Sequence, residues 1–350
     1  MEHPGSGQVR AGYEFDEARL SAWLAQHVSG YQGPLRVEQF TGGQSNPTYK
    51  LITPERSYVL RRKPPGPLLK GAHAIEREAK VQQALVSVGF PVPTIHALCM
   101  DEQVIGTAFY VMELVAGRIF WDASFANVSR EQRPAHFDAM STTLATLHRV
   151  DYKAVGLAEY GASAGFVQRQ LARWSRQYLQ DSDAGRDDNM DRLIEWLQAN
   201  LPADDETTLV HGDYRCDNII FHSIEPRVVA VLDWELSTLG HPLVDFAYHA
   251  MMYRMPPEVA GGLALADLRS LNIPSERQYI ESYCRHVGRM SIDAYEFYMV
   301  FSIFRLAAIL HGIKGRVQRG TAVSASARDR AQLFPMLAEI GLRQVMDLGV

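Results

Sequence analysis

The sequence predicts an α+β fold with an N-terminal antiparallel sheet and helix, followed by a mainly helical C-terminal part. Three observations predict it. Residues 35–63 contain short stretches in which apolar and polar residues alternate, as in half-buried strands. Residues 130–148 and 294–316 instead carry apolar residues at helical spacing. Short apolar runs flank a polar loop at 211–218, and the 350 residues suffice for two such parts.

The N-terminal part is predicted to begin with three strands and a helix. The strands are expected at 35–40, 48–52 and 57–63, and the helix at 74–86, which is rich in helix-forming residues. The first connection contains Gly42, Gly43, Gln44 and Ser45. Glycines let the backbone approach a phosphate with its N–H groups exposed, although plain hairpin turns use the same residues. These four residues are therefore candidates for phosphate binding.

The C-terminal part is predicted to be built mostly from helices. Phe137, Met140, Leu144 and Leu147 are spaced as in a helix that faces a core. Further helices are expected at 166–179, 190–201 and 294–316, the last of which is apolar on most of its circumference.

The most informative stretch is His211-Gly212-Asp213-Tyr214-Arg215-Cys216-Asp217-Asn218, followed by an apolar strand that ends at Asp233. Phosphoryl transfer from ATP needs an Asp that orients the attacking hydroxyl and accepts its proton. It also needs an Asn and a second Asp that hold Mg²⁺. Each residue alone is typical of a turn, a strand edge or a helix cap. Asp213, Asn218 and Asp233 together favour a kinase that uses ATP and Mg²⁺.

The segment HGDYRCDNIIF, followed by VVAVLDWELSTLGHPLVDFAYH, resembles the catalytic core of the aminoglycoside phosphotransferase/choline kinase family, distant relatives of protein kinases. A weaker match extends from about residue 35 to about residue 320. TLGHPLVDFAYH and VLRRKPPG are most similar to the subgroup fused to, or encoded beside, acyl-CoA dehydrogenases. The resemblance implies a two-lobed protein-kinase-like fold, with an ATP-binding lobe at 1–115 and a catalytic and substrate-binding lobe at 116–350. Residues 1–12 are expected to form a flexible tail.

The resemblance also implies roles for individual residues of the catalytic segment. By position, Asp213 resembles the catalytic base, and Asn218 and Asp233 resemble the metal ligands. His211 resembles a structural histidine of the loop, and Asp245 resembles an Asp that braces this loop.

Arg215 and Glu235 depart from the family pattern. Arg215 stands where protein kinases have a catalytic-loop Lys, and it is expected to neutralise charge on the transferring group. Most aminoglycoside kinases lack a cation there. Glu235 follows Asp233 by two residues, and its role is left open.

Three features are implied to bind the nucleotide. Kinases hold the α- and β-phosphates with a cation on the third strand, paired with a Glu from the next helix. Arg61 is the candidate cation where the family more often has Lys, and Glu78 is the candidate partner, with Glu76 as an alternative. The segment 108–117 resembles the connection between lobes whose backbone contacts adenine, which makes Glu113 a candidate.

The distribution of charged residues along the sequence bears on which molecule accepts the phosphoryl group. Acids at 181–191 could dock the amines of an aminoglycoside, but acids near a helix start more often cap free N–H groups. The segment 305–330 is basic and would attract an anion such as the pyrophosphate of CoA, unless it is simply a solvated basic loop. Arg305, in a very apolar stretch, is expected to contact an Asp or a substrate phosphate. Together with the resemblance, this favours phosphorylation of a hydroxyacyl-CoA.

Composition narrows the class further. Net charge is −5, without the basic–aromatic pattern of nucleic-acid binding. The sequence has neither an apolar signal core near its start nor an apolar run of membrane-spanning length, so a cytoplasmic enzyme without a membrane partner is expected. Three widely spaced cysteines predict neither a disulfide framework nor a zinc site.

Three alternatives remain. An antibiotic- or choline-type kinase would share this core but act on a cation. A protein kinase is disfavoured because no APE-type segment follows Asp233. A nucleotide-binding module without catalysis is the third, which Arg61 leaves open and the set of Asp213, Asn218 and Asp233 argues against.

Overall fold

The computed structural model of the protein describes residues 5–41, 46–66, 73–203, 205–259, 261–322 and 325–349. Its strands are β1 (Ser6–Gly7), β2 (Arg36–Phe40), β3 (Thr48–Ile52), β4 (Ser57–Arg62), β5 (Ile95–Cys99), β6 (Phe109–Glu113), β7 (Thr208–Val210), β8 (Ile219–Phe221), β9 (Val228–Val231) and β10 (Thr238–Gly240). Its α-helices are α1 (Glu17–His27), α2 (Ile75–Val86), α3 (Arg133–His148), α4 (Phe166–Gln180), α5 (Asp188–Ala199), α6 (Pro242–Ala250), α7 (Leu268–Leu271), α8 (Glu276–Val287), α9 (Tyr295–Gln318), α10 (Ala325–Gln332) and α11 (Phe334–Asp347).

The chain forms two compact units. Unit 1 comprises Met1–Phe120, Asp151–Leu157 and Arg215–Ser237, and unit 2 comprises Trp121–Val150, Ala158–Tyr214 and Thr238–Val350. An antiparallel sheet in one unit and mostly helices in the other confirm the predicted α+β fold class. The expected lobe boundary at residue 115 stays a prediction.

Unit 1 is built on a six-stranded antiparallel sheet in the order β1-β2-β3-β4-β6-β5. Because side chains alternate along a strand, Tyr58 and Leu60 of β4 pack with α1, whereas Val59 packs with α2. Arg61 therefore lies on the α2 side of the sheet. Ser6 and Gly7 pair with β2, so the expectation of a flexible tail is wrong for these two residues, whose backbone completes the sheet edge.

A second strand pair of unit 1 positions two predicted metal ligands. In the β8–β9 hairpin Ile219 pairs with Val231, and Leu232 N–H donates to the Asn218 carbonyl at 2.8 Å. This register brings Asn218 and Asp233 to the same end of the hairpin. Arg118 exchanges two backbone hydrogen bonds of 2.8 Å with Phe221, which fastens the hairpin to the chain that leaves β6.

Unit 2 is organised around α9, which packs against α4, α5, α6, α10 and α11. Within the described part of the chain, α9 alone has the length and apolar character of a membrane span, but 67% of its apolar window is buried inside the protein. That burial is typical of a helix that packs against other helices. The β7 and β10 strands pair antiparallel and lead directly into the polar loop at 211–218 and into α6.

The contact between the chain after β6 and the hairpin requires glycine at position 117. A Cβ atom there would lie 2.2 Å from the Phe221 carbonyl oxygen and 2.4 Å from Ile220 Cγ2. We expect Gly117→Ala to lower the free energy of unfolding by about 1–3 kcal/mol, because the backbone must shift. Urea unfolding would measure it. Gly7→Ala, where a Cβ meets nothing within 4 Å, is the control, and an unchanged Gly117→Ala protein would contradict the steric explanation.

Candidate active site

A buried arginine in unit 1 collects three carboxylates. Arg61 Nε lies 2.9 Å from Glu78 Oε2, and its Nη2 lies 2.7 Å from Asp233 Oδ1 and 3.5 Å from Glu235 Oε2. The Arg61 side chain is only 10% exposed. The structure thus brings together the predicted cation, the predicted helix partner and one predicted metal ligand, and it adds Glu235.

The neighbouring cations are used differently. Arg62 points to the other side of the sheet, where its guanidinium packs over the rings of Phe15 and Tyr49. Lys63 pairs with Glu76 at 3.2 Å, so the alternative partner for Arg61 is engaged elsewhere. Strand alternation therefore excludes Arg62, and the pairing of Lys63 with Glu76 leaves Arg61 as the cation that contacts Glu78.

The carboxylate of Glu78 is held by two uncharged donors besides Arg61. Asn46 Nδ2 donates to Oε1 at 2.9 Å, and the Tyr110 hydroxyl donates to Oε2 at 3.1 Å. Burial raises the pKa of Glu78 to about 7; Arg61 opposes this rise, whereas the charges of Asp233 and Glu235 add to it. Sequence reasoning missed Asn46 and Tyr110, although Asn46 directly follows the glycine-containing turn.

The carboxylates around Arg61 would attract a further cation. Burial would lower the pKa of Arg61, but Asp233 and Glu78 outweigh it and raise that pKa above its ordinary value. One guanidinium faces three carboxylates, so the group is net negative when all are ionised. A cluster of this sign attracts divalent metal ions.

Asp233 itself has an unusual backbone. Its φ is +64°, in the left-handed region that residues other than glycine seldom adopt, although Asp is among the most tolerant. The following turn is fixed because Trp234 is buried and its indole N–H donates to the Val231 carbonyl at 2.9 Å. Residues with a strained backbone cluster at functional sites, so the φ angle of Asp233 favours the hypothesis that this residue is functional.

The remaining predicted residues of unit 1 are placed as follows. Arg215 forms a two-pronged ion pair with Asp217, with Nε 3.1 Å from Oδ1. Contact with a transferring group would require this pair to open. Glu113 N–H donates to the Thr94 carbonyl at 2.9 Å, so this N–H is used inside the sheet. Gly42, Gly43, Gln44 and Ser45 lie outside the described residues.

In unit 2 a buried carboxylate braces the polar loop. Asp245 accepts hydrogen bonds from the backbone N–H groups of His211 at 2.7 Å and Gly212 at 2.8 Å. His148 Nε2 lies 3.2 Å from the same carboxylate. Burial would raise the pKa of Asp245, but His148, His211 and the backbone donors outweigh it and lower that pKa. The brace implied by the resemblance is present.

Asp213 is held by a residue that sequence reasoning missed. The Tyr248 hydroxyl donates to Asp213 Oδ1 at 2.8 Å. Arg305 lies 5.0 Å from the centre of the Tyr248 ring, and its Nη2 donates to the Gly212 carbonyl at 2.9 Å. Arg305 thus contacts a carbonyl and an aromatic face where an Asp was one of the two expected partners, and the expected contact with a substrate phosphate stays a prediction. Tyr248 follows Asp245 by three residues, one turn of α6, and this spacing is a usable signal.

The acidic cluster and the basic segment of unit 2 neutralise each other in part. Arg319 Nη1 lies 2.6 Å from Asp181 and 2.9 Å from Asp183. Asp187 caps α5 by accepting from two backbone N–H groups, and Asp191 pairs with Arg186 at 2.7 Å. These contacts agree with the capping interpretation of the acids, and they weaken the argument that the segment 305–330 presents an unopposed positive charge.

His249 also supports the polar loop at 211–218. It is buried in α6, with Nδ1 3.1 Å from the Tyr214 carbonyl and Nε2 2.6 Å from the Tyr279 hydroxyl. A carbonyl can only accept, so Nδ1 carries the proton and Nε2 accepts from Tyr279. Burial lowers the pKa of His249 to about 4 from 6.5. Between about pH 4 and 6.5 the His249 imidazole is therefore mostly neutral in the folded protein and mostly protonated in the unfolded chain.

This difference predicts acid destabilisation. Between about pH 6.5 and 4 the unfolded state binds more protons at this site, so the free energy of unfolding falls as pH falls, by about 3 kcal/mol in all. Urea unfolding at a series of pH values should show a flatter dependence for His249→Gln than for the native protein. His27→Gln, which removes an exposed histidine, should retain the native slope. Parallel curves for His249→Gln and native protein would contradict the assignment.

Comparison with known proteins places this geometry in context. A family model described as the phosphotransferase enzyme family matches residues 36–279. A solved structure from Ralstonia eutropha JMP134, provisionally named an aminoglycoside phosphotransferase, is 47% identical with a TM-score of 0.87; the match covers 95% of this chain and 99% of that one. Two structures of thermostable mutants of aminoglycoside phosphotransferase APH(4)-Ia with AMP-PNP and hygromycin B are 13% and 14% identical. Their TM-scores are 0.61 and 0.60, over 93% of this chain and 98% of theirs, which shows the fold alone.

A curated relative adds a second kind of likeness. Chicken acyl-CoA dehydrogenase family member 11 is 44% identical over 349 residues, which is 97% of this chain. The chain spans less than half the length of the curated relatives it matches, 44% in this case. The likeness to a subgroup associated with acyl-CoA dehydrogenases is thereby confirmed.

Proposed function

The chain belongs to the phosphotransferase enzyme family, and on that premise we propose that it transfers the γ-phosphoryl group of ATP to a small-molecule hydroxyl. The observation that carries the proposal is the ion pairing of Arg61 with Glu78 and Asp233. Kinases use this cation–Glu pair to bind the α- and β-phosphates, next to an Asp that holds metal. AMP-PNP in a structure of the same fold supports a nucleotide as the donor.

The residues present fit a magnesium ion. Asn218 and Asp233, at the same end of the β8–β9 hairpin, offer the oxygen donors that Mg²⁺ prefers. Among the described residues, no group of three or more His, Cys, Asp or Glu side chains is arranged to hold a metal. Two protein ligands suit Mg²⁺, which commonly takes its others from water and substrate phosphates. When bound, the ion would neutralise charge on those phosphates.

Asp213 is the proposed base. Tyr248 donates to its Oδ1 atom at 2.8 Å and so restrains the carboxylate that would orient the acceptor hydroxyl and take its proton. Asp245 fixes the backbone just before it through the N–H groups of His211 and Gly212. A base whose position is set by such supports loses little entropy when the acceptor binds.

For the acceptor, we propose the hydroxyl of a hydroxyacyl-CoA. Support comes from relatives named acyl-CoA dehydrogenases, in which a segment similar to this chain makes up less than half of a longer protein. Enzymes joined in one chain commonly act on related molecules, and phosphorylation would turn a hydroxyl on the acyl chain into a better leaving group. The partial pairing of the basic segment with Asp181 and Asp183 means that charge adds little to this choice.

An aminoglycoside acceptor is the second candidate, favoured by the provisional name of the Ralstonia relative. A polycation needs carboxylates that can receive its amines. The acids at 181–191 are engaged with Arg319, Arg186 and the start of α5. This engagement argues against their use in docking amines.

The acceptor proposal predicts selective turnover. Purified protein with Mg·ATP should release ADP with 3- or 4-hydroxyacyl-CoA, and not with choline, kanamycin or hygromycin B, in a coupled ADP assay. Asp213→Asn should lower the rate by about 10²–10⁴-fold, because it removes general-base catalysis, while nucleotide affinity is nearly kept. Turnover of a cationic acceptor would overturn the acyl-CoA choice but retain the chemistry. Full activity of Asp213→Asn would overturn the role of the base.

Asp233→Asn should act on metal-dependent nucleotide binding instead. Loss of one carboxylate weakens the proposed Mg²⁺ site, so the Mg²⁺ concentration for half-maximal binding of AMP-PNP should rise by about tenfold or more. Calorimetric titration of AMP-PNP at several Mg²⁺ concentrations would measure it. Glu225→Gln, at an exposed acid of the β8–β9 turn, is the matched control. The same Mg²⁺ dependence in Asp233→Asn and native protein would argue against a metal ligand at this position.

A further inference from the structure

Two residues of unit 1 outside the roles above, one buried and one half-buried, form a hydrogen-bonded relay to Arg61 through Glu78. We infer that Asn46 and His73 are positioning residues, which hold Glu78 so that Arg61 presents its guanidinium to the nucleotide phosphates. This inference rests on the proposed function and assigns residues that determine phosphate binding at the same site.

The direction of each hydrogen bond in the relay is fixed by chemistry. The ion-paired carboxylate of Glu78 accepts, so the Asn46 amide nitrogen must donate to Oε1, at 2.9 Å. The amide oxygen of Asn46 then faces His73, whose Nδ1 lies 2.8 Å away. An amide oxygen only accepts, so His73 Nδ1 carries the proton. The relay thus runs from His73 through Asn46 to Glu78, with a donor facing an acceptor at each of its two contacts.

Burial and backbone strain indicate that this arrangement is built rather than incidental. Asn46 is only 1% exposed, and burying an amide is costly unless its hydrogen bonds are made. His73 has a φ of +56°, which is unfavourable for a residue with a side chain. The surrounding structure must hold this conformation, and the conformation is what directs the imidazole to Asn46.

The relay matters because Arg61 forms ion pairs with two separate carboxylates. Glu78 binds its Nε and Asp233 binds its Nη2. Glu78 can hold its side only if both of its own oxygens are fixed, Oε1 by Asn46 and Oε2 by Tyr110 and Arg61. Without Asn46 the carboxylate can rotate about its last bond, and the guanidinium moves with it. In catalysis, misplacing a group by about 1 Å can lower the rate by about 10²-fold, so a shift of the guanidinium is expected to matter.

A purely structural role for Asn46 would have different consequences. If Asn46 only stabilised the turn before β3, its loss would lower the affinity of unit 1 for every ligand, or it would lower the stability of the fold. A role through Arg61 instead affects only ligands that carry phosphates. The ratio of affinities for a nucleotide and for its nucleoside therefore separates the two roles.

The test is calorimetric binding of Mg·AMP-PNP and of adenosine to the full chain and its variants. Asn46→Leu should weaken Mg·AMP-PNP by about 10- to 100-fold, as expected for a lost hydrogen bond to a charged group, and leave adenosine affinity within about twofold. Gln39→Leu is the matched control, because Gln39 is a buried amide in β2 of the sheet of unit 1; both affinities should stay within about twofold of the native values.

Two further variants guard against a failure to fold. Asn46→Asp keeps the shape but places an anion against Glu78, and it should weaken Mg·AMP-PNP at least as much as Asn46→Leu. His73→Phe changes a half-buried residue, and it should weaken Mg·AMP-PNP by about 2- to 10-fold through the loss of one uncharged hydrogen bond. Selective loss in His73→Phe alone supports the relay even if both Asn46 variants unfold.

Three results would overturn the inference. Equal weakening of Mg·AMP-PNP and adenosine would assign Asn46 a structural role. Native affinities in Asn46→Leu and His73→Phe would show that Arg61 does not depend on the relay. If the native protein binds adenosine but gains nothing from the phosphates of Mg·AMP-PNP, the proposed kinase function fails together with the inference, and this outcome is recognised before any variant is made.

Discussion

The constraint on which unit 1 depends is the burial of one guanidinium among carboxylates. Removing charges from water is expensive, and a buried ion pair is often no more stable than apolar residues of similar volume. Arg61 and Glu78 nevertheless lie between the sheet and α2, where Val59, Ile75 and Ala79 would continue an apolar core. Such a cost without a gain in stability is understandable if the charges serve binding or chemistry. The β4 register, the α2 contacts and the turn at Asp233 all act to keep these charges together.

The polar loop of unit 2 also depends on a buried charge that is held by its partners. The carboxylate of Asp245 is buried but satisfied by two backbone donors and His148, and the loop is then fixed from other sides by His249 and Arg305. The candidate site residues of both units lie in loops or at strand ends, and each is supported by a rigid helix or strand. Tyr248, on the rigid α6, illustrates this because it restrains Asp213 without being in the loop.

The sequence predicted the parts of this arrangement that depend on local periodicity. Arg61 was singled out by its position in the third strand together with the resemblance, and the spacing of Asp213, Asn218 and Asp233 located the loop and hairpin residues. Contacts between distant segments were beyond it: nothing in the sequence joins Asn46 to Glu78 or Arg319 to Asp181, 138 residues apart. The latter pair removes part of the positive charge on which the sequence argument for an anionic acceptor rested. Helix α1 was not predicted, although Asp16 caps it by accepting from the Arg19 N–H.

Arginine at position 61 is more than a substitute for lysine. A lysine has one nitrogen, whereas Arg61 uses Nε for Glu78 and Nη2 for Asp233, so a single side chain spans two carboxylates that its neighbours hold apart. The planar guanidinium also matches a phosphate with two parallel hydrogen bonds, which an ammonium cannot do. It is longer and rigid at its end, so its orientation must be set by its partners rather than by its own flexibility. An arginine at this position therefore requires a firmly held Glu78, and the buried contacts of Asn46 and Tyr110 meet that requirement.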